Sequence, residues 1–146
     1  MIEENLSVLS NYLWKQSIEN INNVIGDKNK GSFTNTDYFN LSKIYYLKKP
    51  QFTQIAEELN VTKPAVSLIV KRLMALDLVE RIQSEEDKRV YFVRVTEKGK
   101  QIVGGDVKEY EKLAQLIRMH SKSEEEYAVI DSVIEKVVNS IKELQK

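Results

Sequence analysis

The chain lacks cysteine and has a single histidine, His120, among its 146 residues. The absence of cysteine excludes disulfides, thiolate catalysis, iron–sulfur clusters and cysteine-based redox sensing. One histidine excludes a multi-histidine zinc site within one chain, so we expect neither a metal nor a cofactor. No apolar run approaches the roughly 20 residues of a membrane span, and the acidic first residues do not resemble a secretory signal. These absences predict a cytoplasmic protein.

The chain also has no excess of either charge. It has 22 lysines and arginines in total and 22 aspartates and glutamates in total. A uniformly basic coat is therefore excluded, and a nucleic-acid site would have to be a local patch. The hydrophobic fraction of 42% and the charged fraction of 30% indicate a globular protein. At this length we expect a single domain over residues 1–146.

Apolar spacing and turn residues predict a mainly α (α+β) fold. The predicted elements are a helix over 2–25, a loop over 26–32, a helix from a Thr34 cap to about 48, short helices over 51–59 and 63–76, strands over 78–83 and 89–95 around a tip at 84–88, a helix from about 96, and a last helix after Ser123. Ser123 and Glu126 form a capping-box pattern at the start of that last helix.

The two short helices have the internal packing pattern of a helix-turn-helix. Ala56 is small where the helices must approach closely, and Asn60 tolerates the left-handed turn between them. The inward positions are all apolar: Ile55, Leu59, Val61, Val66 and Ile69. At this point an ordinary helical corner remains the alternative.

The opposite face of the second short helix combines hydroxyl, basic and apolar side chains. Lysine and arginine neutralise phosphates, hydroxyls reach base edges or phosphates, and leucine contacts thymine methyl groups. The candidate DNA contacts on this helix are Thr62, Lys63, Ala65, Ser67, Leu68, Lys71 and Arg72. A solvated face that is basic by chance would have the same composition.

A β-hairpin directly after such a helix is typical of a wing that reaches the adjacent minor groove. Lys88 and Arg89 near its tip are further candidate DNA contacts, and Asp87 is placed to orient the Arg89 guanidinium. Inserted arginine reads the narrow minor groove of A·T-rich DNA. Glu85 and Glu86 would repel phosphate unless they point away. An Asp87–Arg89 pair that only holds the tip is the alternative.

Four runs, in this order and spacing, resemble the winged helix-turn-helix segment of MarR-type (multiple antibiotic resistance) regulators. They are IAEELNVTKPAVS from Ile55 to Ser67, LDLVER from Leu76 to Arg81, DKR from Asp87 to Arg89, and VTEKG from Val95 to Gly99. The resemblance implies a homodimer on a pseudo-palindromic operator, with recognition helices in successive major grooves and Arg89 in the flanking minor groove. It also implies a transcriptional repressor that a small aromatic or phenolic effector releases from DNA.

Two positions depart from the family pattern. Leu68 stands where the family often has arginine, and Lys71 stands where an acid is common. Positive charge is therefore redistributed along the recognition helix, and the base preference of the family cannot be carried over. The absence of cysteine excludes the family's thiol-based peroxide sensing, and a single histidine argues against its zinc-sensing branch.

We assign residues 34–99 to the winged helix-turn-helix region, and 1–25 and 100–146 to a helical dimerisation region. About 66 residues make only a marginal core on their own, and apolar seams at three–four spacing suit helix pairing. The candidate dimer residues are Leu6, Leu9, Leu13, Ile130, Ile134, Val137, Ile141 and Leu144. Closing a core within one chain is the alternative.

Aromatic side chains on the flanking helices are candidates for an effector pocket. They are Tyr12, Trp14, Tyr38, Tyr45 and Tyr46, and ordinary core or interface roles are the alternative. No enzyme is expected, because the chain has no Gly-rich phosphate loop, nucleophile elbow or HExxH motif. The main rival function is a winged helix that binds protein without specific DNA binding. Such a module would more often carry apolar or aromatic residues at the positions of Ser67, Lys71, Arg72 and Arg89.

Overall fold

The computed structural model describes residues 1–145, which form six α-helices and one two-stranded antiparallel sheet. The elements are α1 (Ile2–Ile25), a short 3-10 turn (Asp27–Asn29), α2 (Asn35–Tyr46), α3 (Phe52–Leu59), α4 (Lys63–Ala75), β1 (Val79–Gln83), β2 (Tyr91–Val95), α5 (Glu97–His120) and α6 (Glu124–Leu144). The predicted mainly α fold with a β-hairpin wing is confirmed. Within residues 1–145, no helix is both long and apolar enough to cross a membrane.

The chain forms two compact units, one over residues 1–107 and one from Lys108 onward. The first unit contains every element from α1 to β2 and the first part of α5. The second contains the rest of α5 and all of α6. The winged region predicted over 34–99 therefore lies wholly in the first unit, with its C-terminal limit inside α5.

Side-chain caps fix where the helices begin. The Thr34 hydroxyl accepts a hydrogen bond from Asp37 N at 3.2 Å, and Asp37 Oδ2 accepts one from Thr34 N at 2.8 Å, so α2 begins with a complete capping box. At α6 the Ser123 hydroxyl accepts from Glu126 N at 3.2 Å, as predicted. The Glu126 carboxylate accepts from Lys122 N instead of Ser123 N. The predicted bond from the Ser123 N–H to Glu126 is therefore wrong, because the N–H of the preceding residue makes it instead.

The turn between α3 and α4 has the conformation that the sequence predicts. Asn60 is left-handed, with φ 52° and ψ 49°, and Val61 N donates to Ala56 O at 3.0 Å. From there Thr62 caps α4, and Val66 and Val70 enter the core with 0% and 2% of their surface exposed. Burial of these residues fixes which face of α4 remains in solvent.

The hairpin is joined to the helices at its base. Val79 pairs with Val95 in the antiparallel ladder, and both are buried. Pro50, just before α3, accepts a hydrogen bond from Val93 N at 2.9 Å, and Gln51 forms a bridge to Phe92. The wing is therefore held against α3 by backbone hydrogen bonds as well as by apolar packing.

The first turn of α5 packs against the hairpin at Gly99. A Cβ atom on Gly99 would collide with the Leu78 carbonyl oxygen and the Val95 side chain, whereas one on Gly104 would meet nothing within 4 Å. Gly99→Ala should therefore lower the free energy of unfolding by about 1–3 kcal/mol through overpacking. Gly104→Ala, the control in the same helix, should raise it by about 0.5–1 kcal/mol. Urea denaturation measures both, and equal changes would contradict this packing.

Candidate nucleic-acid interface

The solvent-facing side of α4 is polar and basic. Lys63, Ser67 and Lys71 lie four residues apart, hence on one face of the helix, and all three are exposed. Leu68 lies next to this row with 70% of its surface exposed. Of the residues predicted on α4, those accessible without an ion-pair partner are Thr62, Lys63, Ser67, Leu68 and Lys71, while Ala65 is half-buried.

Arg72 has partners that the sequence analysis did not foresee. Its Nε donates to Asp37 Oδ1 at 2.6 Å, and its Nη2 donates to Asp37 Oδ2 at 2.7 Å and also to the Ser32 carbonyl. The Asp37 side chain is only 5% exposed, so this bidentate pair ties α4 to the start of α2. Arg72 therefore holds these two helices together; its side chain is still 50% exposed, and its contact with DNA stays a prediction.

The same pair shifts the acidity of Asp37. Burial alone would raise the pKa of this carboxyl, but hydrogen bonds from Arg72 and Thr34, with the nearby guanidinium charge, outweigh burial and lower the pKa below its ordinary 3.8. A lowered folded-state pKa means that the carboxylate stabilises the fold above its unfolded-state pKa. This contribution disappears as the pH falls through the folded-state pKa.

Asp37→Asn should therefore change how stability depends on pH. At neutral pH we expect the variant to be less stable than the wild type. Because the wild type loses the contribution of this carboxylate on acidification, the difference should shrink as the pH falls below about 4. Thermal unfolding of both proteins across an acid pH series measures this. A difference that stays constant would contradict the role given to the pair.

The hairpin tip, residues 84–90, is two residues longer than predicted. Val90 N donates to Asp87 O at 2.9 Å, which closes a turn, while Val90 O still accepts from Ser84 N at 2.9 Å. Lys88 and Arg89 lie in this turn, and both are exposed. Arg89, predicted at the start of the second strand, therefore joins Lys88 in the tip.

Asp87 and Arg89 are brought together as a bidentate pair. Arg89 Nε lies 3.2 Å from Asp87 Oδ1, and Arg89 Nη2 lies 3.3 Å from Asp87 Oδ2. The side-chain bonds, followed by one from Arg89 N, lower the pKa of the Asp87 carboxyl. The Arg89 side chain is nevertheless 90% exposed. Since a guanidinium has five N–H donors, three remain available after Asp87 has accepted two.

An open cavity of about 340 Å³ lies between α4 and the wing. Lys63 and Ser67 line it from α4, and Arg89 lines it from the hairpin tip. Two predicted DNA-contacting regions therefore face one concave surface that carries several cations. This surface can accept a polyanion whose backbone passes between the helix and the wing.

Arg81 also lines this cavity and was not among the predicted contacts. Its guanidinium carbon lies 3.7 Å from the centre of the Tyr91 ring and 5.6 Å from that of Phe52. Arg81 lies two residues after buried Val79 on β1 and is itself exposed. An exposed arginine on a strand is ordinary, so its position in the sequence gave no signal for this environment.

Two of the five predicted effector-pocket residues line the same cavity. Tyr45 and Tyr46, with ring centroids 5.3 Å apart, line an open cavity of about 400 Å³. Tyr12, Trp14 and Tyr38 do not line it. Tyr38 lies two helical turns before Tyr45, and its hydroxyl donates to Asp106 of α5. The rest of the lining is Lys48, Lys49, Arg94, Val95 and Lys100, which is mainly basic.

Both predicted dimer faces are largely open in the single chain. On α1, Leu6 and Leu9 are 58% and 44% exposed, while Leu13 is half-buried. None of the described residues of α6 is buried. Along its seam Ile130 is half-buried, and the exposed members are Ile134, Val137, Ile141 and Leu144.

Comparison with known proteins gives a family for this segment. Residues 33–91, which include α4 and the hairpin tip, match the model of the MarR family. The chain is also similar to YdgJ of Bacillus subtilis, described as an uncharacterized HTH-type transcriptional regulator. The two are 24% identical over 130 residues, which is 88% of this chain and 79% of YdgJ.

Solved structures similar to this one extend the likeness to nearly the whole chain. Streptococcus pneumoniae FabT in complex with DNA is 25% identical, with a TM-score of 0.61 over 98% of this chain and 96% of FabT. S. aureus MepR bound to ethidium bromide is 19% identical, with a TM-score of 0.70 over 97% of this chain and 96% of MepR. The fold is thus shared well beyond the segment that the family model matches.

Proposed function

We propose that the chain is a cytoplasmic homodimeric repressor of a pseudo-palindromic operator, because residues 33–91 match the model of the MarR family and the chain is similar to an HTH-type transcriptional regulator. In this proposal α4 of each protomer enters the major groove, and Arg89 enters the flanking minor groove. The likeness to FabT in complex with DNA supports double-stranded DNA as the partner.

The observation that carries the proposal is the concave cationic surface between α4 and the wing. Exposed Lys63 and Arg89 line this surface, and exposed Lys71 lines the neighbouring cavity, although the chain has no net charge overall. A protein without net charge attracts DNA only weakly as a whole. Its attraction to a polyanion therefore has to come from a local cationic patch of this kind. Ser67 and Leu68 add the hydroxyl and the apolar group that can contact base edges.

Apolar surface that a single chain leaves in water supports the proposed dimer. Half-exposed isoleucines along α6, such as Ile134 and Ile141, are costly to hydrate and suit packing against a second copy. Two protomers also match the two half-sites of an operator one helical turn apart.

Lys71→Ala tests the assignment of this surface to DNA. If Lys71 contacts a phosphate, the variant should bind specific and random duplexes less tightly by similar factors. The slope of log affinity against log salt should fall by roughly 0.9. Fluorescence anisotropy with labelled duplexes measures both, with Lys122→Ala as an exposed-lysine control outside the winged helix. A sequence-selective loss would instead make Lys71 a base-reading residue.

We place the proposed effector in the cavity beside Tyr45 and Tyr46. Two tyrosines offer a stacking surface, while the basic rim favours an anion such as an aromatic carboxylate. The same rim would repel the cation ethidium, so the ligand of MepR is not carried over. Calorimetric titration with small aromatic carboxylates tests this site, and affinity unchanged by Tyr46→Ala would exclude it.

A further inference from the structure

Arg81 differs from every other arginine in the described chain. The other four each have a carboxylate within 3.2 Å; the pairs are Arg72–Asp37, Arg89–Asp87, Arg94–Glu80 and Arg118–Glu124. Among residues 1–145, Arg81 alone among the arginines has no such partner. No described carboxylate therefore forms an ion pair with its positive charge.

Aromatic rings hold the Arg81 guanidinium in place. The guanidinium carbon lies over the Tyr91 ring, 3.7 Å from its centre, and 5.6 Å from the centre of the Phe52 ring, and these contacts restrain the group. A cation–π contact restrains the group without cancelling its charge, and the N–H donors in the guanidinium plane remain available. A restrained cation loses little rotamer entropy when it binds an anion.

Arg81 lies between the two proposed DNA-contacting elements. It lines the cavity of about 340 Å³ together with Lys63 and Arg89, and a neighbouring cavity of about 370 Å³ together with Lys71. In duplex DNA one sugar–phosphate backbone separates a major groove from the adjacent minor groove. A group between the recognition helix and the wing therefore faces that backbone.

We propose that Arg81 binds a phosphate of this backbone, held in position by the Tyr91 ring. The proposal rests on the proposed DNA-binding function and adds a contact between its two groove-reading elements. A bound phosphate would fix the register of α4 and the wing on the duplex without selecting a base.

Arg81→Gln tests the contact, with Arg118→Gln as the matched control. Arg118 lies outside the winged helix, and its charge is already paired with Glu124 at 2.7 Å. In anisotropy titrations over a salt series, Arg81→Gln should weaken specific and random duplex binding by similar factors, roughly tenfold or more. Its salt slope should fall by roughly 0.9. The control should keep the wild-type slope and affinity, and thermal unfolding confirms that both variants fold.

A double-mutant cycle tests the positioning by the ring. Tyr91→Phe keeps the stacking surface and should bind as the wild type does. Tyr91→Leu removes the ring and should weaken binding when Arg81 is present, but much less in the Arg81→Gln background. A purely structural role for Tyr91 would give the same loss in both backgrounds.

The outcomes separate this inference from the function on which it rests. A wild-type protein that binds no duplex would overturn both. If the wild type binds and Arg81→Gln keeps its salt slope, only the phosphate contact at Arg81 is wrong. A loss confined to particular sequences would also overturn it, because a phosphate contact carries no base preference.

Discussion

Ile134→Asp combined with Ile141→Asp is expected to produce a monomer that has lost nearly all operator affinity. The two side chains are 47% and 49% exposed in the single chain, so a monomer tolerates aspartate at both positions. In the proposed α6 contact between protomers, the same carboxylates would be buried without partners, which is strongly unfavourable. A monomer contacts only one half-site and lacks the extra affinity that two linked half-sites provide. Its operator affinity should therefore be lower by roughly 100- to 10,000-fold.

Sedimentation equilibrium distinguishes a monomer of 16.9 kDa from a dimer of about twice that mass. Lys136→Gln with Asn139→Asp is the matched control, because it also makes the net charge more negative by two. Helical periodicity places those two residues on the opposite side of α6, and we expect that variant to remain dimeric and active. A seam variant that stays dimeric and binds DNA normally would refute the role given to this face.

Arg89→Ala is expected to lower operator affinity by roughly 10- to 100-fold and to remove the preference for A·T-rich flanks. Asp87 accepts two of the five N–H donors of Arg89, so the remaining donors are directed outward before DNA arrives. The narrow minor groove of A·T-rich DNA has the most negative potential, and an inserted guanidinium benefits most there. Loss of Arg89 should therefore cost more on an A·T-flanked operator than on a G·C-flanked one.

Anisotropy titrations with the two flanks measure this difference. Asp87→Asn keeps Arg89 but weakens the pair that orients its guanidinium. We expect this variant to lower operator affinity less than Arg89→Ala does and to retain the preference for A·T-rich flanks. Arg94→Ala, elsewhere on the wing, should have little effect on either duplex. Unchanged affinity and flank preference in Arg89→Ala would contradict the minor-groove role and leave the pair as a structural element of the tip.

The sequence predicted the winged helix because its signals are local. Asn60 and Thr62 report a turn and a cap through their own backbone preferences, and both have those conformations in the structure. Among the positions predicted to face inward, Val66 is buried and Ile69 is half-buried, whereas Val61 in the turn is 38% exposed. The second strand begins at Tyr91, two residues later than predicted, because Val90 N donates to Asp87 O and closes a turn there.

Contacts between residues far apart in the chain could not be predicted in the same way. Arg72 and Asp37 are separated by 35 residues, and composition alone does not distinguish a cation held by a buried carboxylate from one that faces DNA. Arg81 was missed because its environment depends on Phe52, which belongs to another element. The aromatic pocket was predicted from residue type, which does not say that Tyr38 would bond to Asp106 instead of joining Tyr45.

Selection from randomised duplex DNA at near-physiological salt, followed by sequencing of the bound pool, tests the central claim most directly. We expect a two-fold-symmetric motif with half-sites about one helical turn apart and A·T-rich positions where Arg89 reaches the minor groove. Such a motif would establish sequence-specific binding and dimeric symmetry in a single experiment. A folded, dimeric protein that enriches no motif would contradict the account and favour a winged helix that binds protein instead.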